Sequence, residues 1–310
     1  MLGLREFIHH TNGGAAYHAT TTAIFHALDA SIDTVEPLVT TLYGASGVGK
    51  TRILQAWSEH HRPQKQGIPI ERFPVIRAEL FAPERSSSAR HQYSTPISCI
   101  TFSSIMFALG ELAKQIMPPA YTPKWYRDTQ SLYTDKQFLW LFDLVARELH
   151  QLRVRAIIID NAQLLDTVSI KALFRLRERL KGAIGLIFSA QLARNEGIDE
   201  PLGKQFEYAN IDRDDFSQPI VINPITQKIF NEEVLLPLFE QLDADIEPRA
   251  EAYGALIAQA FWNTTSGNWH QINRLVRQIQ RLLLQQPEAT TKFITLELLE
   301  AALGQTLVGR

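Results

Sequence analysis

The sequence predicts an α/β domain with a mostly parallel sheet, followed by a small all-helical domain. Extended or apolar runs alternate with helical patterns, which is typical of such a sheet; they occur at residues 38–43, 73–81, 155–160 and 183–188. The runs RAIIID and AIGLIF are apolar almost throughout, as expected for strands that are buried on both faces of a parallel sheet. No convincing strand pattern follows Asn223-Pro224. We therefore expect one domain at residues 1–224 and a helical domain at residues 225–310.

Apolar residues at helical spacing predict the helices, and Pro63 and Pro118 each close one of them. In the first domain we expect helices at residues 15–30, 51–61, 102–117, 135–152 and 166–181. In the second domain we expect helices at residues 226–242, 249–264, 269–286 and 295–303. The stretch at residues 83–96 is polar, has proline near both ends and predicts a loop.

The composition is that of an ordinary folded protein. The chain has 310 residues, of which 45% are hydrophobic and 21% charged, so disorder is excluded as the default. The formal net charge of −2 excludes a polybasic nucleic-acid binder but leaves room for a local basic face. Cys99 is the single cysteine, and neither a signal peptide nor an apolar stretch of membrane-spanning length is present. We expect a cytoplasmic protein without a membrane partner.

The segment GASGVGKT, at residues 44–51, follows the first predicted strand and precedes a predicted helix. It matches the phosphate-binding loop G-x-x-x-x-G-K-[ST] at every fixed position. Glycines let such a loop wrap so that its N–H groups point at a phosphate, with the helix dipole behind them. Lys50 supplies a charge for the β- and γ-phosphates, and the Thr51 hydroxyl is a ligand for Mg²⁺. The segment therefore predicts binding of ATP with Mg²⁺.

A carboxylate for Mg²⁺ follows a later strand. Asp160 ends the apolar run RAIIID, 110 residues after Lys50, which is the Walker B arrangement. Hydrolytic proteins of this broad class usually place glutamate next, as the base for the attacking water, but this chain has Asn161. An amide orients water but accepts no proton from it at neutral pH. We therefore expect ATP binding with slow hydrolysis, unless Asp166 or another carboxylate acts as the base.

The second apolar strand is followed by Ser189, Ala190 and Gln191. A polar side chain at this position is suited to contact the γ-phosphate or the attacking water, as a sensor. Gln191 is our first candidate for this role and Ser189 the second. The same residues are equally typical of a polar strand end without a role in catalysis.

These motifs, in their order along the chain, resemble those of the AAA+ ATPases. Within that group the chain is similar to the TnsC/TniB-type regulators of DNA transposition, relatives of the Mu B target-selection protein. The matching segments are GASGVGKT, AIIIDNAQLLD, LIFSAQ and SGNWHQINRLVRQIQ. The likeness extends from about residue 15 to residue 303, although the phosphate loop alone indicates only the superfamily. The resemblance implies a P-loop AAA+ (ASCE) parallel sheet flanked by helices, with a small helical lid.

The resemblance also implies a function and a set of site residues. Such proteins form ATP-dependent homo-oligomers, as rings or helical filaments around double-stranded DNA. They link target-site selection to the transposase, in some systems through a CRISPR-guided complex and a TniQ-type adaptor. Carried over by position, Thr51 and Asp160 are the implied Mg²⁺ ligands and Lys50 the implied phosphate contact. Together with our own candidates Asn161 and Gln191, Lys50 and Asp160 make up the expected catalytic residues. The implied nucleotide contacts are Gly44, Ser46, Gly47, Val48, Gly49, Lys50, Thr51, Arg52 and, as a second sensor in the lid, Arg274.

The sequence departs from the family pattern at two places. One is Asn161, where glutamate is usual. The other is Lys204-Gln205-Phe206, where relatives often have a pair of arginines before the phenylalanine. An arginine finger is therefore not assigned, and Arg194 and Arg213 are the nearby candidates.

The near-zero net charge hides regional differences. Basic residues outnumber acidic ones at residues 52–90 and 153–181, whereas residues 232–251 are strongly acidic. The predicted loop at residues 83–96 and the segment after it supply the candidates for contacts with the DNA backbone, which are Arg85, Arg90, Lys124 and Arg127. The same charges are also typical of solvated faces and subunit interfaces. No base-reading motif is present, so we expect DNA binding to tolerate sequence changes and to weaken with salt.

Two other functions remain open from the sequence. One is a nucleotide-gated signalling or secretion-associated ATPase that acts on a protein partner without DNA. The other is a small-molecule kinase, which is less favoured because the helical segment follows the predicted sheet and does not interrupt it.

Overall fold

The structure is a computed structural model, and it describes residues 15–61, 74–80, 97–118, 120–124, 138–192, 200–235, 238, 245–246, 251–285 and 293–308. Contacts divide the chain into two compact units. The sheet unit comprises Phe25–Gly44 and Lys50–Ile222. The C-terminal unit comprises Met1–Ile24, Ala45–Gly49 and Asn223–Arg310. The predicted domain boundary at residue 224 stays a prediction, because this division also assigns two earlier segments to the C-terminal unit.

Five parallel strands form the sheet in the order β2–β3–β4–β1–β5. The strands are β1 (Val39–Gly44), β2 (Val75–Glu79), β3 (Ala156–Asp160), β4 (Gly185–Gln191) and β5 (Ile220–Ile222). Every residue of β1 and β3 is buried, which explains why β3 is an apolar run without alternation, whereas β1 buries Thr40 and Thr41 among its apolar residues. Because the strands are parallel, the carboxyl ends of β3, β4 and β1 lie next to one another at one edge of the sheet.

Helices connect these strands. They are α1 (Ala15–Ile32), α2 (Lys50–His60), α3 (Ile97–Ile116), α4 (Phe138–Gln151), α5 (Thr167–Arg179) and α6 (Glu200–Ala209). On α4 the predicted apolar stripe is buried through Leu141, Val145 and Leu149. Helix α5 begins because the carboxylate of Asp166 accepts a hydrogen bond from the Ser169 N–H at 2.8 Å. These faces pack with the strands into one hydrophobic core.

Within the described residues, α3 is long and apolar enough to cross a membrane by length and composition. More than half of its most apolar window is buried inside the protein. Phe102, Ile105 and Met106 are fully buried and belong to the core that the sheet shares with α4. Such burial is typical of a core helix, which needs no lipid to cover its apolar face.

The C-terminal unit has its own hydrophobic core. Its main helices are α7 (Glu251–Thr265), α8 (Trp269–Gln285) and α9 (Leu296–Val308). A short helical turn at Gln227–Ile229 continues as a π-helix at Phe230–Leu235. Two strands of two residues each, β6 (Asp245–Ile246) and β7 (Phe293–Ile294), pair in parallel. Phe230, Phe261 and Ile272 are fully buried at the centre of this core.

The predicted fold class is confirmed, since the sheet is parallel, helices flank it and the C-terminal part is mostly helical. Three details differ from the prediction. Strand β5 was not predicted, because three apolar residues are too few to make a pattern, and helix α6 was not predicted either. The helix expected at residues 226–242 begins as a helical turn at Gln227–Ile229 and continues as a π-helix at Phe230–Leu235, and most of the rest of that span lies outside the described residues. The expectation of no strand after residue 224 is wrong, because β6 and β7 pair there.

Candidate nucleotide-binding site

The segment GASGVGKT joins the carboxyl end of β1 to α2. Gly47 and Gly49 have φ angles of 79° and 97°, which residues with a Cβ rarely adopt. Within the described part of the chain, the N–H groups of Ser46, Gly47 and Gly49 donate to no protein acceptor. They precede an 11-residue helix, whose dipole favours an anion at its N-terminus. The loop therefore fits a phosphate group.

Lys50 is the first residue of α2, and its ammonium group donates a hydrogen bond to the carbonyl oxygen of Gly44 at 2.7 Å. Burial lowers the pKa of this ammonium from 10.5 to about 8, although the negative charge of Asp160 acts in the opposite direction. The same carbonyl accepts a hydrogen bond from the Leu192 N–H at 3.0 Å, just after β4. The ammonium group of Lys50 therefore lies at Gly44, where the loop begins, and the negative charge of Asp160 acts on it.

Asp160 ends β3 and is almost fully buried. Its Oδ2 accepts a hydrogen bond from Nη1 of Arg77 at 3.1 Å, and the same nitrogen lies 3.4 Å from Oε2 of Glu79. Both partners belong to β2, where Glu79 is the register partner of Asp160. A buried carboxylate is costly unless it is paired, and Arg77 provides the pair.

Sequence reasoning missed Arg77 and Glu79. The alternation of residues 73–81 predicted a strand there, but the position of that strand in the sheet was not predicted. Arg77 is 83 residues before Asp160, and the two meet only because β2 lies beside β3. The one available signal was a pair of charged residues within a strand that otherwise looks buried.

Asn161 follows Asp160 in the left-handed backbone region, with φ 59° and ψ 39°. Its side-chain amide donates to the carbonyl oxygen of Leu80 at 3.0 Å, and its own N–H donates to Oδ1 of Asp160 at 3.1 Å. The side chain is therefore tied to the residue that follows β2. Asp166, the alternative base, also accepts a hydrogen bond from the Ser169 hydroxyl at 2.5 Å in addition to capping α5.

The end of β4 carries both candidate sensors. Gln191 is the register partner of Gly44, its side chain is exposed, and its N–H donates to Oε1 of Gln163 at 3.2 Å. Ser189 is fully buried, and its hydroxyl has no hydrogen-bond partner among the described residues. Phe188 pairs with Ile159, so Ser189 and Asp160 are the next residues along two adjacent strands. Ser189 therefore offers a buried hydroxyl beside Asp160.

In the C-terminal unit, the N-terminus of α8 contacts the phosphate loop. The side-chain amide of Asn268 donates to the carbonyl oxygen of Ser46 at 2.6 Å, and the Trp269 N–H donates to that of Gly47 at 2.9 Å. A Cβ at Gly47 would overlap the Asn268 amide. Sequence reasoning placed Arg274 in this region, but it missed Asn268, whose side chain contacts the loop.

The remaining predicted site residues have the following positions. Thr51 is exposed and Arg52 half-buried in the first turn of α2, and Arg274 is half-buried in the second turn of α8. Val48 is buried within the loop. The guanidinium of Arg213 lies over the ring of Phe206, 5.7 Å from its centroid. Lys124 is exposed. Arg85, Arg90, Arg127 and Arg194 lie outside the described residues.

The residues fit a metal ion that is shared with phosphate. Mg²⁺ usually binds one or two protein oxygens and takes its other ligands from phosphate and water. Asp160 and Thr51 provide such oxygens. Among the residues that the structure describes, no group of three or more histidine, cysteine or acidic side chains could hold a metal by itself. The donor set is therefore suited to an ion that arrives with a nucleotide.

Comparisons with known proteins agree with this geometry. The sequence model of the family described as "AAA domain" matches residues 34–194, more than half of the chain. No curated protein matches the sequence. The matched region contains the phosphate loop, Asp160 and the end of β4.

The fold is shared by many solved structures, of which three are compared with this chain. The ORC1 protein of Aeropyrum pernix, solved in complex with DNA, is 15% identical with a TM-score of 0.56; the match covers 93% of this chain and 65% of that one. The Walker-type ATPase paby2304 of Pyrococcus abyssi is 13% identical with a TM-score of 0.57, over 92% of this chain and 70% of that one. Drosophila ORC bound to DNA is 14% identical with a TM-score of 0.51, over 94% of this chain and 60% of that one.

These structural matches show the fold alone, because their identities are low. The chain spans less than two thirds of the length of both ORC chains. The match to the family model is independent of them and rests on the sequence. The chain therefore belongs to the AAA domain family.

Proposed function

We propose that this protein is an ATP-dependent, oligomerising DNA-binding regulator of transposition, which links target-site selection to the transposase. The observation that carries the nucleotide part is the phosphate loop, in which three N–H groups have no acceptor among the described residues and which leads directly into the half-buried Lys50. The transposition part is supported by the resemblance of the segments AIIIDNAQLLD and SGNWHQINRLVRQIQ to TnsC/TniB-type regulators.

In this proposal the loop N–H groups of Ser46, Gly47 and Gly49 bind the β-phosphate. Lys50 balances the charge of the β- and γ-phosphates, and Thr51 and Asp160 hold Mg²⁺. The ion supplies positive charge to the phosphate oxygens when it is bound. The other proposed nucleotide contacts are Gly44, Val48, Arg52 and Arg274.

We propose slow hydrolysis for a physical reason. Asn161 provides no base, and its amide already donates to Leu80. Asp166 is engaged by Ser169. Gln191 and Ser189 are the proposed sensors, of which Ser189 has a buried hydroxyl without a partner among the described residues. With such a site, the bound nucleotide acts mainly as a switch that stabilises the oligomer.

The DNA part of the proposal rests on similarity to other proteins. Two structures with this fold were solved with DNA, those of Aeropyrum pernix ORC1 and Drosophila ORC. By the TnsC/TniB resemblance, the proposed partners are double-stranded DNA, further copies of this chain, the transposase and a TniQ-type adaptor, in the cytoplasm. Lys124 is the exposed basic residue among the described DNA candidates.

The test combines imaging with DNA binding. We expect rings or filaments on double-stranded DNA with a slowly hydrolysed ATP analogue, and monomers with Lys50→Ala. We also expect the transposase to bind the ATP-bound assembly and not the nucleotide-free protein. ATP binding without DNA binding would contradict the proposal and favour a signalling or secretion-associated ATPase. A steady turnover well above about 1 per second would contradict the switch mechanism.

A further inference from the structure

A cleft of about 740 Å³ lies at the amino ends of β3 and β4. The phosphate loop follows the carboxyl end of β1, so the cleft is at the opposite edge of the parallel sheet. The end of α4, the connection to β3 and the end of α5 form its walls. Their polar side chains are Asp143, Arg147, His150, Arg153, Arg155, Arg179 and Lys181.

The cleft is strongly basic. Five arginine and lysine side chains line it, against the single carboxylate of Asp143. That carboxylate pairs with Arg179 at 2.9 Å, and Arg147 pairs with the buried Glu148 at 3.0 Å. Arg153 and Lys181 are exposed, and neither side chain has a hydrogen bond or ion pair among the described residues. The wall therefore carries positive charge that the described carboxylates do not balance.

The negative ends of two helices offset part of this positive charge. The carboxyl ends of α4 and α5 meet at the cleft, and each helix end carries a partial charge of about −0.5. Together they balance about one cation. Arg153 and Lys181 both have left-handed backbones, with φ angles of 52° and 54°. Glycine or asparagine usually occupies such positions after a helix. Arg153 and Lys181 occupy these positions instead, and among the described residues neither side chain is paired with a carboxylate or another partner.

We propose that this basic cleft binds the phosphate backbone of DNA. The inference rests on the proposed DNA-binding function and assigns it residues. A pocket for a small anion encloses its ligand and fixes it with a few rigid polar groups. Here the half-buried cation, Arg155, is already bonded to the carbonyl oxygens of Ile32 and Thr34, at 3.1 and 2.5 Å. The remaining cations are exposed to solvent, which suits a row of phosphates that runs past the cleft.

The experiment removes the two cations without recorded partners from the full chain. We compare Arg153→Ala/Lys181→Ala with a matched control, Lys171→Ala/Arg175→Ala. The control residues are exposed cations on α5 outside the cleft, and they too have no side-chain partner among the described residues. Fluorescence anisotropy measures the affinity for a DNA duplex at several salt concentrations, with a slowly hydrolysed ATP analogue present. ATP affinity and thermal stability are measured on every variant.

We expect the cleft variant to bind DNA about tenfold more weakly than the control. The slope of log affinity against log salt should fall by about 1.8, because each lost phosphate contact contributes roughly 0.9. Arg153→Lys/Lys181→Arg keeps both charges and should bind DNA as the wild type does. ATP affinity should not change in any of these variants.

Three results would overturn the inference. In the first, the wild type binds DNA and the cleft variant matches the control in affinity and salt slope. In the second, the cleft variant keeps its affinity for DNA but loses affinity for a polyglutamate peptide, which assigns the cleft to an acidic protein. In the third, inorganic triphosphate binds the wild type as tightly as DNA does and the cleft variant does not bind it. If the wild type binds ATP but no DNA at all, the proposed function itself fails.

Discussion

The side-chain amide of Asn268 donates a hydrogen bond to the backbone carbonyl of Ser46 across 2.6 Å, although 222 positions separate the two residues. The Oδ1 atom of the same amide accepts hydrogen bonds from the N–H groups of His270 and Gln271, at 3.0 and 3.2 Å. One side chain therefore holds the phosphate loop and caps α8. The donor half of the amide serves the loop, and the acceptor half serves the helix.

These two roles can be separated by mutation. Asn268→Asp keeps the acceptor that caps α8 but replaces the donor with an oxygen that faces the Ser46 carbonyl. We expect ATP affinity to fall by about tenfold, since one hydrogen bond to the loop is lost and a negative charge is added near the phosphate. The melting temperature should change little. Fluorescence of a labelled ATP analogue measures the affinity, and calorimetry measures the melting temperature.

Two further variants control this result. Asn268→Ala also removes the cap, which should cost about 1 kcal/mol of stability. Asn273→Asp removes an amide donor to the Trp269 carbonyl, at 2.8 Å, within the same helix. It has no recorded contact with the loop and should bind ATP normally. Equal losses of ATP affinity in Asn268→Asp and Asn273→Asp would show that the loop contact is not responsible.

The lowered pKa of Lys50 predicts a pH dependence of ATP binding. Below the pKa of about 8 the side chain is a charged ammonium that attracts phosphate. Above it the free protein has a neutral amine, so binding must first take up a proton. We expect the dissociation constant to be flat from pH 7 to 7.5 and to rise above pH 8, by at most about tenfold per unit. Titrations with labelled ATP at constant ionic strength test this.

Lys50→Arg is the control for this pH dependence. Arginine stays charged across the whole range, so its ATP affinity should not depend on pH even where it is weaker. An equal rise of the dissociation constant in wild type and Lys50→Arg would place the titrating group elsewhere. Proton uptake by the wild type at pH 8.5, measured by calorimetry in two buffers, provides an independent reading.

Because Arg77 pairs with Asp160, we expect Mg-ATP to stabilise the Arg77→Met variant more than the wild type. Arg77→Met leaves the buried Asp160 carboxylate without its cation, which should cost about 3 kcal/mol in the absence of nucleotide. Mg²⁺ bound with ATP restores positive charge beside Asp160, so it should raise the melting temperature of Arg77→Met more than that of the wild type. Thermal melts with and without Mg-ATP measure both effects.

Glu79→Gln is the matched control for Arg77→Met. It removes the longer contact of Arg77, at 3.4 Å, and leaves the pair with Asp160 intact. We expect a smaller loss of stability and the wild-type response to Mg-ATP. If Arg77→Met also gains no more than the wild type from Mg-ATP, Asp160 does not lie close to the bound ion.

The sequence predicted the parts of the site that lie within one local motif. It did not predict the parts that come from distant positions along the chain. Lys50 lies within one continuous motif, and Asp160 ends an apolar run that burial in a parallel sheet requires. Both were predicted. Arg77 and Asn268 reach the site through the strand order and through the contacts of the C-terminal unit, 83 and 222 positions away. No local pattern contains that information.

At Asn161, the backbone conformation favours asparagine over the glutamate that is usual at this position in hydrolytic relatives. Asparagine tolerates the left-handed backbone that this position adopts better than most residues, and its amide satisfies the Leu80 carbonyl. Glutamate at the same place would lack the donor for that carbonyl and would strain the backbone. Glutamate, the residue usual at this position in hydrolytic relatives, is therefore one that this local structure disfavours.

We expect Asn161→Glu to raise ATP turnover and to lower the stability of the protein. A carboxylate after Asp160 provides the missing base, which should raise ATP turnover by about 100-fold. The lost hydrogen bond to Leu80 and the left-handed backbone should together cost about 2 kcal/mol of stability. Asn161→Gln is matched in side-chain length and backbone strain but provides no base, so its turnover should stay near that of the wild type. A coupled ATPase assay and thermal melts compare the three proteins. If Asn161→Glu turns over no faster than Asn161→Gln, the absent carboxylate is not what limits hydrolysis.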